Sequence, residues 1–180
     1  MAKLGVLAIL AYVVCVVLAN WLTTHYGFVP VGFGLTATAG TYVIGAAFVF
    51  RILIQEAYGS ALAGRLVMLG AILAGAVLSW ALATPALALA SGVTFLVSES
   101  VDWAVYTPMR VRGWARAALA GNGVGAVTDT ALFLWLAGFP IIAAMPGQFV
   151  GKAYATLIYL GLGWGVRRAL PRVTVHADTS

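Results

Sequence analysis

Charge is what this sequence has least of. Only 8% of its 180 residues are Asp, Glu, Lys or Arg, against roughly 25% in a typical soluble domain. It contains one cysteine, so Cys15 has no intrachain disulfide partner and a disulfide scaffold is excluded. The two histidines, His25 and His176, are expected at opposite ends of the molecule, so no metal-ligand cluster can be assembled. There is no Gly-rich phosphate loop, no Gly-x-Ser-x-Gly elbow and no Ser/His/Asp arrangement, and no cofactor is expected. What fills the chain instead is apolar: 63% of residues are hydrophobic and the mean hydropathy is +1.02. A core of 18.7 kDa cannot hide that much apolar surface, which excludes a cytosolic globular enzyme and a disordered chain. The composition predicts an all-α integral membrane protein.

Crossing a hydrocarbon core of about 30 Å takes about 20 residues at 1.5 Å each. Apolar windows of that length predict a bundle of six transmembrane helices over 4–24, 34–54, 62–83, 86–106, 117–137 and 142–164. Lys3 precedes the first span, Arg51 and Arg65 flank the second connection, Arg110, Arg112 and Arg116 fill the fourth, and Arg167, Arg168 and Arg172 follow the last. The remaining connections carry no Lys or Arg. This one-sided distribution predicts cytoplasmic N and C termini and a multi-pass protein of the plasma or inner membrane. The pI near 9.7 is then a topology signal, and with no basic stripe interleaved with aromatics, nucleic acid is not expected as a partner. The first apolar run is too long for a signal peptide and lacks an Ala-x-Ala site, so it reads as a retained helix. Residues 1–170 form one transmembrane domain and 171–180 a short cytoplasmic tail without expected structure. The connection from His25 to Phe33, rich in Gly and Pro, reads equally as a plain turn or a lid.

An ionised side chain at the centre of a membrane helix costs about 2.5 to 3.5 kcal/mol, so each one needs a reason. Glu99 and Asp102 fall in the fourth span, Asp129 in the fifth and Lys152 in the sixth. Helical spacing puts Phe95, Glu99, Asp102 and Tyr106 on one face, Asn122, Asp129 and Phe133 on another, and Gln148, Lys152 and Tyr159 on a third. At 1.5 Å per residue Gln148 lies roughly 9 Å, Lys152 roughly 15 Å and Asp129 about 12 Å below the outer edge. Glu99, Asp102 and Asn122 fall deeper, in the cytoplasmic half. Such a polar column predicts a solute path or an occluded pocket; the alternative for Asp129 and Lys152 is a buried pair that fixes helix register. Arg116 is the expected partner of Asp102. Arg51, Gln55 and Glu56, followed by Tyr58-Gly59, read either as part of the site or as an interfacial helix end with a Gly stop. Small residues at every fourth position, Ala11, Cys15 and Ala19 in the first helix and Gly70 and Ala74 in the third, permit close helix packing.

The stretches GFVPVGFGLTATAGTY, RILIQEAYG, LASGVTFLVSESVDWAVYTPMRVRGWARAALAGNGVGAVTDTALFLWLA and GQFVGKAYATLIY together resemble the VUT family of vitamin-uptake-like membrane proteins, which includes transporters of queuosine precursors. The resemblance covers roughly residues 16 to 160 and departs at Ile52, where relatives often carry an acid after the arginine. It implies a six-helix bundle similar to the substrate-binding components of energy-coupling-factor transporters, and uptake of 7-cyano-7-deazaguanine or its aminomethyl relative. A deazaguanine presents N1–H and a 2-amino group side by side to a carboxylate, and an O6 that needs a donor. Glu99, Asp102 or Asp129 can accept; Lys152, Gln148 or Asn122 can donate. Phe95, Trp103, Phe133, Tyr154 and Trp21 are candidates to stack on the flat base. The expected partners are therefore a deazapurine and the lipid bilayer, with a homodimer left open. Two other readings differ in class: a binding subunit of a separate ATP-driven importer, and an intramembrane enzyme using Glu99 and Asp102 as acid and base.

Overall fold

A computed structural model describes residues 2–59, 62–112 and 114–169. The helices are α1 (Ala2–Tyr26), α2 (Thr41–Tyr58), α3 (Leu62–Leu82), α4 (Pro85–Met109), α5 (Trp114–Leu136) and α6 (Ile141–Ala169). Between α1 and α2 lies a short hairpin of β1 (Phe28–Gly32) and β2 (Leu35–Thr38). A single 3-10 turn, Arg110–Arg112, separates α4 from α5. The tail 171–180 lies outside the described residues.

The helix boundaries follow local chemistry. Gly59, at φ +76°, ends α2 in the left-handed conformation that suits a glycine stop. The expected second span, 34–54, is corrected most: its helix begins at Thr41, because 35–38 pair with β1 instead. Gly32, Phe33 and Gly34 all take positive φ, reversing the chain where a helix cannot start. Phe28 then pairs with Thr38, Val29 with Ala37 and Pro30 with Thr36, with a bulge between Pro30 and Gly32.

Each helix packs on the next in the closed order α1, α2, α6, α5, α4, α3, and α3 returns to α1. The hairpin packs on α6, mainly through β2. The α1–α2, α3–α4 and α5–α6 connections share one end of the bundle: Thr84 N donates to Thr24 Oγ1, and Phe28 meets Phe139 edge-on at 5.1 Å.

Polarity is inverted relative to a water-soluble bundle. Leu4, Leu7, Leu10, Val14 and Leu18 form an exposed stripe along α1, and Leu62, Leu66, Leu69, Leu73 and Val77 do so along α3. The interior holds Asn20, Arg51, Asp102, Asp129, Gln148 and Lys152, all buried. An apolar exterior, with these polar residues held inside a largely apolar core, suits a lipid surround. Three helical segments, Leu4–Tyr26, Leu62–Leu82 and Ile141–Tyr159, are long and apolar enough to cross a membrane. Two shorter apolar stretches, Thr41–Arg51 and Gly123–Leu136, lie on α2 and α5.

Close approach of α6 to β2 depends on Gly147, whose missing Cβ would run into the Thr36 carbonyl. That neighbour is backbone and cannot swing away. Gly147→Ala is therefore expected to lower the thermal midpoint in detergent, with a loss of about 1–3 kcal/mol. Gly161→Ala on the same helix, where nothing lies within 4 Å, leaves it unchanged or slightly higher.

Candidate functional site

Near the hairpin end, α1, β2, α2, α4, α5 and α6 together line a cavity with about 370 Å³ of space between atoms, part of it open to solvent. Its polar groups fall into clusters. On the α5–α6 side Lys152 Nζ donates to Asp129 Oδ2, and to Thr130 Oγ1 at 2.9 Å. Thr130 passes its own proton to the Ala126 carbonyl at 2.8 Å, which leaves its oxygen free to accept from lysine. Beside the hairpin, Gln148 Nε2 donates to Thr38 Oγ1 at 2.8 Å and Gln148 Oε1 accepts from Thr41. Both ends of that amide are thus held, joining α6 to β2 and to the first residue of α2. On the α1 side Asn20 Nδ2 donates to Ser79 Oγ at 2.9 Å and Ser91 Oγ at 2.7 Å.

Phe95 and Phe133 add flat apolar surface to the same wall, and Phe95 is backed by Tyr12 at a ring separation of 6.3 Å. Asp129 and Lys152 are the only charged residues among those lining the cavity, and their charges cancel. A buried charge is tolerable only when paired and hydrogen-bonded. The Lys152 ammonium meets that requirement with a carboxylate and a hydroxyl, and sits 6.0 Å from the centroid of Phe48. A neutral solute with its own donors and acceptors can lie against such a dipolar wall without adding uncompensated charge.

A second polar cluster lies apart from this cavity. Arg51 NH1 donates to Glu99 Oε1 at 2.8 Å, and Arg51 NH2 stands 3.2 Å from Asp102 Oδ2. Gly121 of α5 makes room for it, since a Cβ there would strike the Asp102 carboxylate. Three expectations are corrected here. Asp102 pairs with Arg51, while Arg116 is exposed. Arg51 is a buried bridge between α2 and α4, where an interfacial helix end was one reading. Glu99 and Asp102 do not line the cavity that holds Asp129 and Lys152, so that cavity takes in only part of the expected polar column.

No family model, curated protein or solved structure matches the chain.

Of the expected binding residues, the fold brings Phe95, Asp129, Gln148 and Lys152 together at the cavity, with Phe133 beside them. Trp103 is elsewhere: it faces a hollow between α3 and α4, where the guanidinium carbon of Arg65 sits 3.2 Å from its ring centroid. Trp21 stacks on His25 at 4.2 Å and Tyr154 is exposed, so neither lines the cavity. The side chains of Asn122, Gln55 and Glu56 lie outside the described residues. Sequence reasoning passed over Asn20, Thr38, Thr41, Ser91, Thr94 and Thr130. Hydroxyls are inexpensive in membrane helices and give no charge signal. Asn20 was the detectable one, since an amide closing an apolar run from Leu4 needs a partner.

Removing one partner of a buried ion cluster leaves uncompensated charge. Arg51→Met is expected to destabilise the protein by about 3–5 kcal/mol in detergent. The triple variant Arg51→Met/Glu99→Gln/Asp102→Asn recovers most of that loss, read from the thermal midpoints of both.

Proposed function

We propose that the chain is a six-span transporter that takes up a queuosine precursor, 7-cyano-7-deazaguanine or its aminomethyl relative, across the plasma or inner membrane. The observation that carries this reading is the neutral polar cavity. A Lys–Asp pair and two phenylalanine rings share its wall, inside a bundle whose outer surface is apolar. In this reading Asp129 accepts N1–H and the 2-amino group, Lys152 donates to O6, and Phe95 and Phe133 flank the flat ring. The sequence resemblance to the VUT family supports the same substrate class.

Six spans rest on the same geometry. The shortest helix, α2, has 18 residues, about 27 Å at 1.5 Å per residue and near the hydrocarbon thickness. Polar residues dilute α2, α4 and α5, but Arg51, Asp102 and Asp129 are buried. The basic connections lie opposite the hairpin end, which makes that opposite end cytoplasmic in this reading. With no nucleotide-binding motif in the chain, the driving force comes from a gradient, a partner or downstream consumption of the base.

A binding subunit of an ATP-driven importer is the second reading, favoured by the outward-facing Gly70 and Ala74 on α3. On α1, Ala19 is spent within the bundle, lining the cavity. Uptake of the base by liposomes containing only this chain excludes the second reading.

Two measurements check the main proposal. A deazaguanine raises the thermal midpoint of the purified protein, because a ligand that prefers the folded state stabilises it. Asp129→Asn/Lys152→Met removes both charges together, so it strands no buried ion. That variant is expected to insert and fold yet lose uptake by at least about tenfold, the loss of one charged hydrogen bond or more. Uptake at the wild-type rate overturns the proposal.

A further inference from the structure

Thr94 lies on α4 one turn beyond Ser91, and both line the cavity. It is 1% exposed, and its Oγ1 has no hydrogen-bond partner among the described residues. A threonine within a helix ordinarily hands its proton to a carbonyl one turn back, as Thr130 does to Ala126. Thr94 does not. A buried hydroxyl left unpaired is costly, and here it sits in the wall of a cavity that already holds a paired ammonium, a paired carboxylate and a paired amide.

Ser91 on the same helix and Asn20 on α1 complement it. Ser91 Oγ donates to the Ala88 carbonyl at 3.2 Å, so Ser91 can only accept from Asn20. That fixes the amide with Nδ2 toward Ser91 and Ser79, both of its protons used. Asn20 Oδ1 is left to accept. The cavity that Asp129 and Lys152 line therefore also offers, from α1 and α4, a hydroxyl that can donate and a carbonyl that can only accept.

We infer that Thr94 and Asn20 form a second recognition edge, which reads an adjacent ring acceptor and ring N–H on a planar heterocycle: Thr94 donates to the ring nitrogen and Asn20 Oδ1 accepts the N–H. The inference rests on the proposed function and deepens it. In a deazaguanine these atoms are N3 and N9–H, on the edge away from N1 and O6. Asp129 and Lys152 read one edge of the base, and Thr94 and Asn20 read the other. A substituent on N9 removes the N–H and collides with the α1–α4 wall.

The test is binding of 7-cyano-7-deazaguanine and its N9-methyl derivative to the purified full chain by calorimetry, with Thr94→Val and Thr94→Ser. The Val variant keeps the shape and loses the hydroxyl. It is expected to bind the parent base about threefold to tenfold more weakly, the worth of one neutral hydrogen bond. Its ligand-free thermal midpoint stays level or rises, because an unpaired buried hydroxyl has been removed. Ser retains near wild-type affinity, and the N9-methyl base binds wild type poorly. A Val variant that binds the parent base as tightly as wild type overturns this inference alone. Wild type that binds neither base overturns the proposed function, and this inference with it.

Discussion

The Lys152–Asp129 contact joins α5 to α6, two helices that share far less surface than α4 and α5 do. Where packing is sparse, a paired charge supplies the specificity that apolar contact does not. The pair is tolerable because Thr130 gives the ammonium a second hydrogen-bond partner. It also fixes the rotation of α6, and with it the direction of Gln148, one turn away. Gln148 in turn holds Thr38 of the hairpin and Thr41 of α2. One ion pair thereby sets the geometry of an entire wall.

The two polar clusters differ in what they leave for chemistry. Around Arg51 the guanidinium faces Glu99 and Asp102 directly, and the glycine at 121 lets α5 close over them. That arrangement is spent on holding α2 to α4. Around Lys152 the same kind of buried charge borders open space lined by aromatic rings. Both sets are paired; Asp129 and Lys152 line the cavity near the hairpin, while Glu99 lines the hollow between α3 and α4.

Much of the fold was legible in the chain. Apolar windows separated by basic or glycine-rich connections located six helices, because apolar residues dominate each one. The ends of α1, α3 and α4 fall within three residues of the expected spans. The hairpin was hidden because 34–40 is apolar and small, and only the turn at 32–34 distinguishes it from a helix. For the site, helical spacing identified Asp129, Gln148 and Lys152 on facing surfaces. It could not reveal that the ring runs α1, α2, α6, α5, α4, α3, which is why Arg51 was matched with no acid and Asp102 with the wrong arginine. Depth along an axis follows from counting residues. Neighbourhood around that axis is a tertiary property.

The ring order has a consequence for biosynthesis. Arg51 is made 48 residues before Glu99, and Thr41 is made 107 residues before Gln148. A chain emerging from the ribosome in sequence has made α2 before either acid that Arg51 meets on α4 exists. The contacts of Arg51 with Glu99 and Asp102 form only once α4 has been made, and those of Thr38 and Thr41 with Gln148 later still, with α6.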